Sequence, residues 1–184
     1  MLAFIIILAV FIFIWKLTPN PANKRAAGMM FQMLESFSII ENTTKFDVFT
    51  RRLDFLGTLA NTMPKISDKK KCIDSVLFSY SRKYPAVSVS PTIIAILNQP
   101  QIAISEKFRD EAATAFFLRA CYKLKNDIRT LKTMAAKQRR YIQAAELADV
   151  IIDRLKSNVR QRYIDCINNE LSNILNLISS QPPL

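Results

Sequence analysis

Residues able to do chemistry are few in this chain and far apart. A serine or cysteine nucleophile needs a base to take its proton, and without a single His that base would be a desolvated lysine or a carboxylate. Ser88, Ser90 and Lys107 are the nearest such set; their spacing fits no catalytic motif, and they read as turn residues. Cys72, Cys121 and Cys166 are widely separated and form no C-x-x-C pair, so a zinc or haem site has almost nothing to be built from. A carboxylate-only Mg or Ca site stays open in principle, but the fifteen acids are scattered and Asp110-Glu111 is their one adjacent pair. Gly28 and Gly57 stand alone, which leaves no glycine-rich phosphate cradle. The expectation is a protein that is not an enzyme, with no cofactor, no metal and no small-molecule substrate.

Cations are the exception to this sparseness. The formal net charge is +11, and between Arg119 and Arg162 twelve Lys or Arg stand against Asp127, Glu146, Asp149 and Asp153. The candidate contacts to an anionic partner are Lys123, Lys125, Arg129, Lys132, Lys137, Arg139, Arg140, Arg154, Lys156, Arg160 and Arg162. The plainest role for them is a solvated helix face. The functional roles are attraction to the anionic cytoplasmic leaflet, contact with an acidic protein face, or nucleic-acid binding. For the last, Lys137, Arg139 and Arg140 with Tyr141 could meet phosphates and a base, although no known reader motif surrounds them.

The elements that would position those cations begin with an apolar start. Met1–Trp15 contains no charge, Pro, Gly or hydroxyl side chain. A helix over 1–17 would reach roughly 25 Å, slightly short of the ~30 Å hydrocarbon core of a bilayer. The anchor residues are Phe4, Ile5, Ile6, Ile7, Leu8, Val10, Phe11, Ile12, Phe13 and Ile14, with Trp15 and Lys16 as interfacial anchors. Lys16, Lys24 and Arg25 follow the run and no cation precedes it, so the positive-inside rule leaves the N-terminus outside and the rest cytoplasmic. A cleaved export signal is the alternative, against which stands the missing basic n-region; a buried core helix is another. Three cysteines, an odd number, agree with a reducing compartment.

Beyond a stiff spacer over 18–23, prolines and hydroxyl caps divide the chain. Asn20 and Pro21 open a first helix running to about Glu41, with Met30, Leu34 and Phe37 on one face and Met33 and Ile40 broadening it. Thr44 opens a second, with the stripe Phe46, Phe49, Leu53, Leu56, Ala60 and Met63, ended by Pro64. These two are expected to form a hairpin whose stripes bury each other. A third starts at Ser67 and Asp68, buries Ile73, Val76, Leu77 and Tyr80, turns Lys69, Lys70 and Lys71 to water or headgroups, and stops before Pro85. Residues 84–104, with Pro85, Pro91 and Pro100, hold a short helix from Ser90-Pro91 through Leu97 and an extended stretch over 101–104. Ser105 and Glu106 begin a long helix with the seam Phe117, Cys121, Leu124, Ile128, Leu131 and Ala135. A turn is expected near Gln138–Tyr141, and the pattern then resumes through Ala148, Ile152, Leu155 and Val159 to Tyr163, Ile167, Leu171, Ile174 and Ile178, so that two or three helices fit.

The run Glu41, Asn42, Thr43, Thr44, Lys45, Phe46 and Asp47, continuing through Arg51, Arg52, Leu53, Asp54 and Phe55, resembles a helical segment of uncharacterised proteins from Gram-positive bacteria and their phages. No activity comes with that resemblance. The expected architecture is all-α: a transmembrane helix over 1–17, a spacer over 18–23 and a bundle-like domain of five to seven helices over 24–180. Within that domain 24–83 and 105–180 are possible sub-units joined by 84–104, and 181–184 is a tail. The expected role is a membrane-anchored interaction or scaffold module with a protein partner, or one that self-associates through its helices. A membrane-proximal nucleic-acid binder and an exported helical protein are the alternatives.

Overall fold

The computed structural model describes residues 20–180; the anchor expected over 1–17 and the tail over 181–184 lie outside the described residues. Every regular element described is a helix: α1 Pro21–Asn42, α2 Phe46–Thr62, α3 Lys69–Lys83, α4 Pro91–Asn98, α5 Glu106–Thr130, α6 Met134–Ile152 and α7 Arg160–Ser179. Among the described residues no helix is long and apolar enough to cross a membrane.

Most boundaries follow from side chains within four residues of them. Asn20 Oδ1 accepts the Ala22 N–H at 3.0 Å, Asp68 accepts that of Lys71 at 3.4 Å, and Ser105 Oγ accepts that of Phe108 at 3.1 Å, each satisfying an orphan donor of a first turn. Pro91 takes the first position of α4, where its missing N–H costs nothing. α2 starts at Phe46, one residue later than a Thr44 cap would begin it: the Lys45 carbonyl accepts the first helical bond, from Phe49, and the Thr43 hydroxyl accepts the Lys45 N–H at 3.4 Å. The break expected near Gln138–Tyr141 lies instead at 131–133. Two hydroxyls place it there: Thr130 donates to the Asp127 carbonyl at 2.8 Å in the last turn of α5, and Thr133 accepts the Ala136 N–H at 3.3 Å to open α6. A second break at 153–159 makes three helices of this region.

The described chain divides into two compact units, residues 20–39 with 54–103 and residues 40–53 with 104–180. In the first, α1 buries Met30, Met33, Leu34 and Phe37 and meets α3 at several side chains. Met30 Sδ lies 4.0 Å from Cys72 Sγ, and Phe31 meets Tyr80 edge-on with centroids 5.7 Å apart. Lys83 Nζ sits 2.8 Å from Glu35 Oε1, which also accepts the Tyr84 hydroxyl at 2.8 Å. The bonds from Lys83 and then Tyr84 hold the Glu35 carboxyl below its usual range.

In the second unit α5, α6 and α7 pack pairwise against one another. Phe117, Cys121, Ile128, Ala144, Ala148, Ile151, Ile167, Ile174 and Ile178 form its core, with the small Ala144 and Ala148 letting helix backbones approach closely. Phe46 and Phe49, on the N-terminal half of α2, pack on Phe116 of α5 at centroid distances of 5.3 and 4.9 Å. Within the first unit α1 thus meets α3, and within the second the first half of α2 meets α5. An apolar stripe demands an apolar partner without naming it, and Tyr80 and Phe116 offer large aromatic faces.

The link 153–159 is held by one buried carboxylate. Asp110, 3% exposed, accepts the Lys156 N–H on Oδ1 at 3.2 Å and the Ser157 N–H on Oδ2 at 2.8 Å. Arg154 adds a guanidinium 5.2 Å over the Phe46 ring. The buried Ser157 Oγ finds no partner among the described residues. Ser157→Ala removes that orphan, and is expected to stabilise the chain by about 1 kcal/mol and raise Tm by about 2 to 4 °C in a thermal melt. An unchanged or lower Tm would show that the hydroxyl is satisfied in solution.

Candidate functional site

The eleven cations singled out in the sequence divide by environment. Lys123, Lys132, Arg139, Lys156, Arg160 and Arg162 are exposed, and none of their side chains joins an ion pair or hydrogen bond among the described residues. Arg129 only reaches the Asn126 amide at 3.5 Å. Arg154 rests on Phe46. Lys125 is consumed by Glu170, 2.7 Å away, in a half-buried bridge between α5 and α7. Arg140 lies 4.0 Å from Asp127 and donates to Gln143 at 3.0 Å.

Lys137 overturns its expectation, since it is only 6% exposed. It falls seven residues before Ala144 and eleven before Ala148, on the line that α6 turns to the core, so its stem is packed as an apolar residue would be. The set of Lys137, Arg139, Arg140 and Tyr141 therefore does not form an open phosphate-binding cluster: one cation is buried and another is engaged by acid and amide.

Large apolar side chains are exposed in the same unit. Tyr122, 68% exposed, neighbours Lys123 along α5, and Ile142, 54% exposed, lies three residues after Arg139 on α6. Met134, Val150 and Val159 are exposed as well. Cations alternating with aromatic and aliphatic groups are the composition of contact surfaces rather than of a purely solvated face. The same unit carries a wide, shallow groove of about 670 Å³ between Leu118 of α5 and the Gln161, Arg162, Asp165, Cys166, Asn169 and Glu170 side chains of α7, in which two carboxylates outnumber the one cation.

The first unit holds a more enclosed feature, a cleft of about 440 Å³ where the end of α2, the start of α3 and the segment after α4 come together. Its walls are apolar at Met63, Pro64, Ile66, Pro100 and Ile102 and polar at Asn61, Gln101, Lys65 and Lys69. Lys69 corrects a second expectation, that all three lysines at the start of α3 face water or headgroups. Lys70 and Lys71 are exposed, but the Lys69 ammonium is shielded from solvent and has no hydrogen-bond partner among the described residues. Burial pushes its pKa down from the ordinary lysine value. The adjacent Asp68 offers no relief, since its carboxylate accepts the Lys71 backbone N–H and stands 3.1 Å from the Lys71 ammonium. The available signal is Ile66 and Ile102, each two residues after a proline, which only a fold could bring to one lysine.

Ser88 is exposed, Ser90 precedes α4, and Lys107 is exposed in the first turn of α5; the serines and the lysine belong to different units. Among the described residues no three metal-ligating side chains come together. The Glu41–Phe55 segment forms the end of α1, the short link after it and the first part of α2. Comparison of the chain with protein-family models, with curated proteins and with solved structures finds no match.

Proposed function

We propose that this chain is a membrane-anchored, non-enzymatic interaction module. Residues 1–17 tether it with the N-terminus outside, and the helical region holds or organises a protein partner at the inner membrane face. One observation carries the reading: Lys123, Lys132, Arg139, Lys156, Arg160 and Arg162 are exposed without acidic partners, on the unit that also exposes Tyr122 and Ile142. Cations left unpaired beside exposed aromatic and aliphatic groups fit a partner that brings acidic residues and an apolar patch. The tether would keep this surface near the leaflet and raise the effective concentration of membrane-associated partners. Burial of Lys137 removes support from the nucleic-acid alternative.

Amine-reactive crosslinking of the full chain in native membranes is expected to join Lys123, Lys132 or Lys156 to a second polypeptide. Reversing Arg139, Arg160 and Arg162 to Glu, which leaves the three reactive lysines in place, should cut the yield by about tenfold or more, and high salt should do the same. Absence of protein crosslinks at these lysines, or a yield indifferent to charge reversal, would remove the basis for the reading. The tether is tested separately with Leu2→Cys and Ser180→Cys. A membrane-impermeant thiol reagent should label position 2 in intact cells and position 180 only after lysis, and labelling at 180 in intact cells would invert the orientation.

A further inference from the structure

The cleft at the start of α3 combines features that a surface depression lacks. Its volume of about 440 Å³ is within the range of pockets that enclose small organic molecules. Its wall is mixed: Met63, Pro64, Ile66, Pro100 and Ile102 supply apolar surface, while Lys65, Lys69 and the amide donors of Asn61 and Gln101 make up a comparable polar share. A cation without a partner stands at one side: Lys69 lines the cleft, its ammonium is tucked beneath the surface out of contact with solvent, and a ligand pairs with it once the flexible side chain swings outward. An unpartnered ammonium shielded from water is a cost that folding tolerates where some other group gains from it. Lys65 lines the cleft too, and the N-terminus of α3 begins at Lys69 itself, so charge and helix dipole have the same sign there. The nearest acid on the same element, Asp68, is already committed to Lys71.

We infer that this cleft binds an organic anion with an apolar body, a carboxylate or phosphate monoester carried on a hydrocarbon or aryl group, with Lys69 as the counter-charge and the Met63, Pro64 and Pro100 wall taking the apolar part. The anion supplies the charge partner that the protein withholds from Lys69, and the apolar body replaces water against the aliphatic wall. Selectivity therefore lies in the combination: a neutral molecule of the same shape leaves the ammonium unpaired, and a small inorganic anion leaves the wall wet. This binding function is independent of the basic surface on the other unit; of the reading above it uses only the membrane tether, whose failure shows separately as a chain that does not enter nanodiscs, in which case the acid-against-amide titration is run in detergent. Free carboxylates and lipid headgroups share the chemistry, and the test separates them.

The full chain, with its methionine methyl groups ¹³C-labelled and held in nanodiscs of neutral phosphatidylcholine, is titrated with 4-phenylbutyrate and, separately, with neutral 4-phenylbutyramide. The Met63 methyl resonance is expected to shift saturably with the anion, and the amide to bind about tenfold or more weakly. Lys69→Met should remove the preference for the anion, whereas Lys70→Met, at an exposed neighbour, should leave it intact. If Met63 moves to the occupied position on exchange into phosphatidylglycerol nanodiscs without added ligand, the source is lipid. If only phenylbutyrate moves it, the source is a free anion. No saturable shift at Met63, equal affinity for acid and amide in the unaltered protein, or a preference that survives Lys69→Met would each overturn the inference. The acid-against-amide comparison needs no variant, so a misfolded Lys69→Met protein does not leave it open.

Discussion

Asp110→Ala is expected to lower the unfolding free energy by about 3 to 4 kcal/mol in urea denaturation, more than removal of any other single polar side chain described here. The carboxylate makes two charge-assisted hydrogen bonds, to the backbone N–H groups of Lys156 and Ser157, across a sequence separation of 46 and 47 residues. Removing it loses both bonds and leaves the Ser157 N–H, in a residue only 4% exposed, without an acceptor. The effect should reach beyond the link. Residues 153–159 set the path from α6 into α7, so their release should raise amide hydrogen exchange at the first turn of α7 before the core responds. Asp110→Asn keeps an acceptor oxygen but not the charge, and should cost about half as much. A loss below about 1 kcal/mol for Asp110→Ala would mean that water serves the two N–H groups equally well and that the carboxylate is not what holds the link.

Alkaline pH should produce the second large effect. Cys121 is 1% exposed in the core of the second unit, and burial, aided by the nearby Glu170 and opposed by Lys125, pushes its thiol up to about 12 from 9.0. Above about pH 9 the unfolded chain gives up this proton while the folded chain keeps it, so the native state binds more protons and stability falls with rising pH. The contribution is fully present below about pH 9 and lost on the way to about pH 12; by pH 11 the loss from this group alone is about 2 to 3 kcal/mol. Cys72 and Tyr163, both pushed up mainly by burial, act in the same direction, and Lys69, pushed down, acts in the opposite one. The contribution of Cys121 is therefore read as the difference between the unaltered protein and Cys121→Ala. The variant should begin with a deficit of about 1 kcal/mol from the lost packing and overtake the unaltered chain between about pH 9 and pH 11. Stability curves that stay parallel over this range would show that the thiol titrates normally in the fold.

Placement of the cations bears directly on both proposed binding functions. Charge density along 119–162 located a surface, but burial decided which cations belong to it: Lys137 drops out because its position falls on the inner line of α6, and Lys125 because Glu170 meets it across two helices. Lys69, whose ammonium is shielded at the cleft, lies outside that basic stretch, in a lysine triplet indistinguishable by type from its neighbours. Which of three adjacent lysines faces inward depends on helix phase and on what lies opposite, and the residues opposite include Gln101 and Ile102, more than thirty positions away.

Local chemistry and apolar periodicity determined the all-helical character of the described residues and most of their helix ends. Asp68, Ser105 and Pro91 act on backbone groups within four residues, and Pro85 bars the continuation of α3, so their effects need no fold. The same reasoning carried the break at 131–133 in Thr130 and Thr133, and was drawn away to Gln138 by the heptad seam, because hydroxyl caps and apolar periodicity compete and only packing decides between them. Tertiary structure decided the rest: that α1 engages α3, that Phe46 and Phe49 seek Phe116, that Asp110 closes a link almost fifty residues on, and that a cleft gathers around Lys69. The physical reason is range. Hydrogen bonds and steric exclusions along the backbone are written into neighbouring residues, whereas burial and hydrophobic contact depend on total apolar area and shape, which many alternative pairings of the same stripes could satisfy until the whole chain selects one.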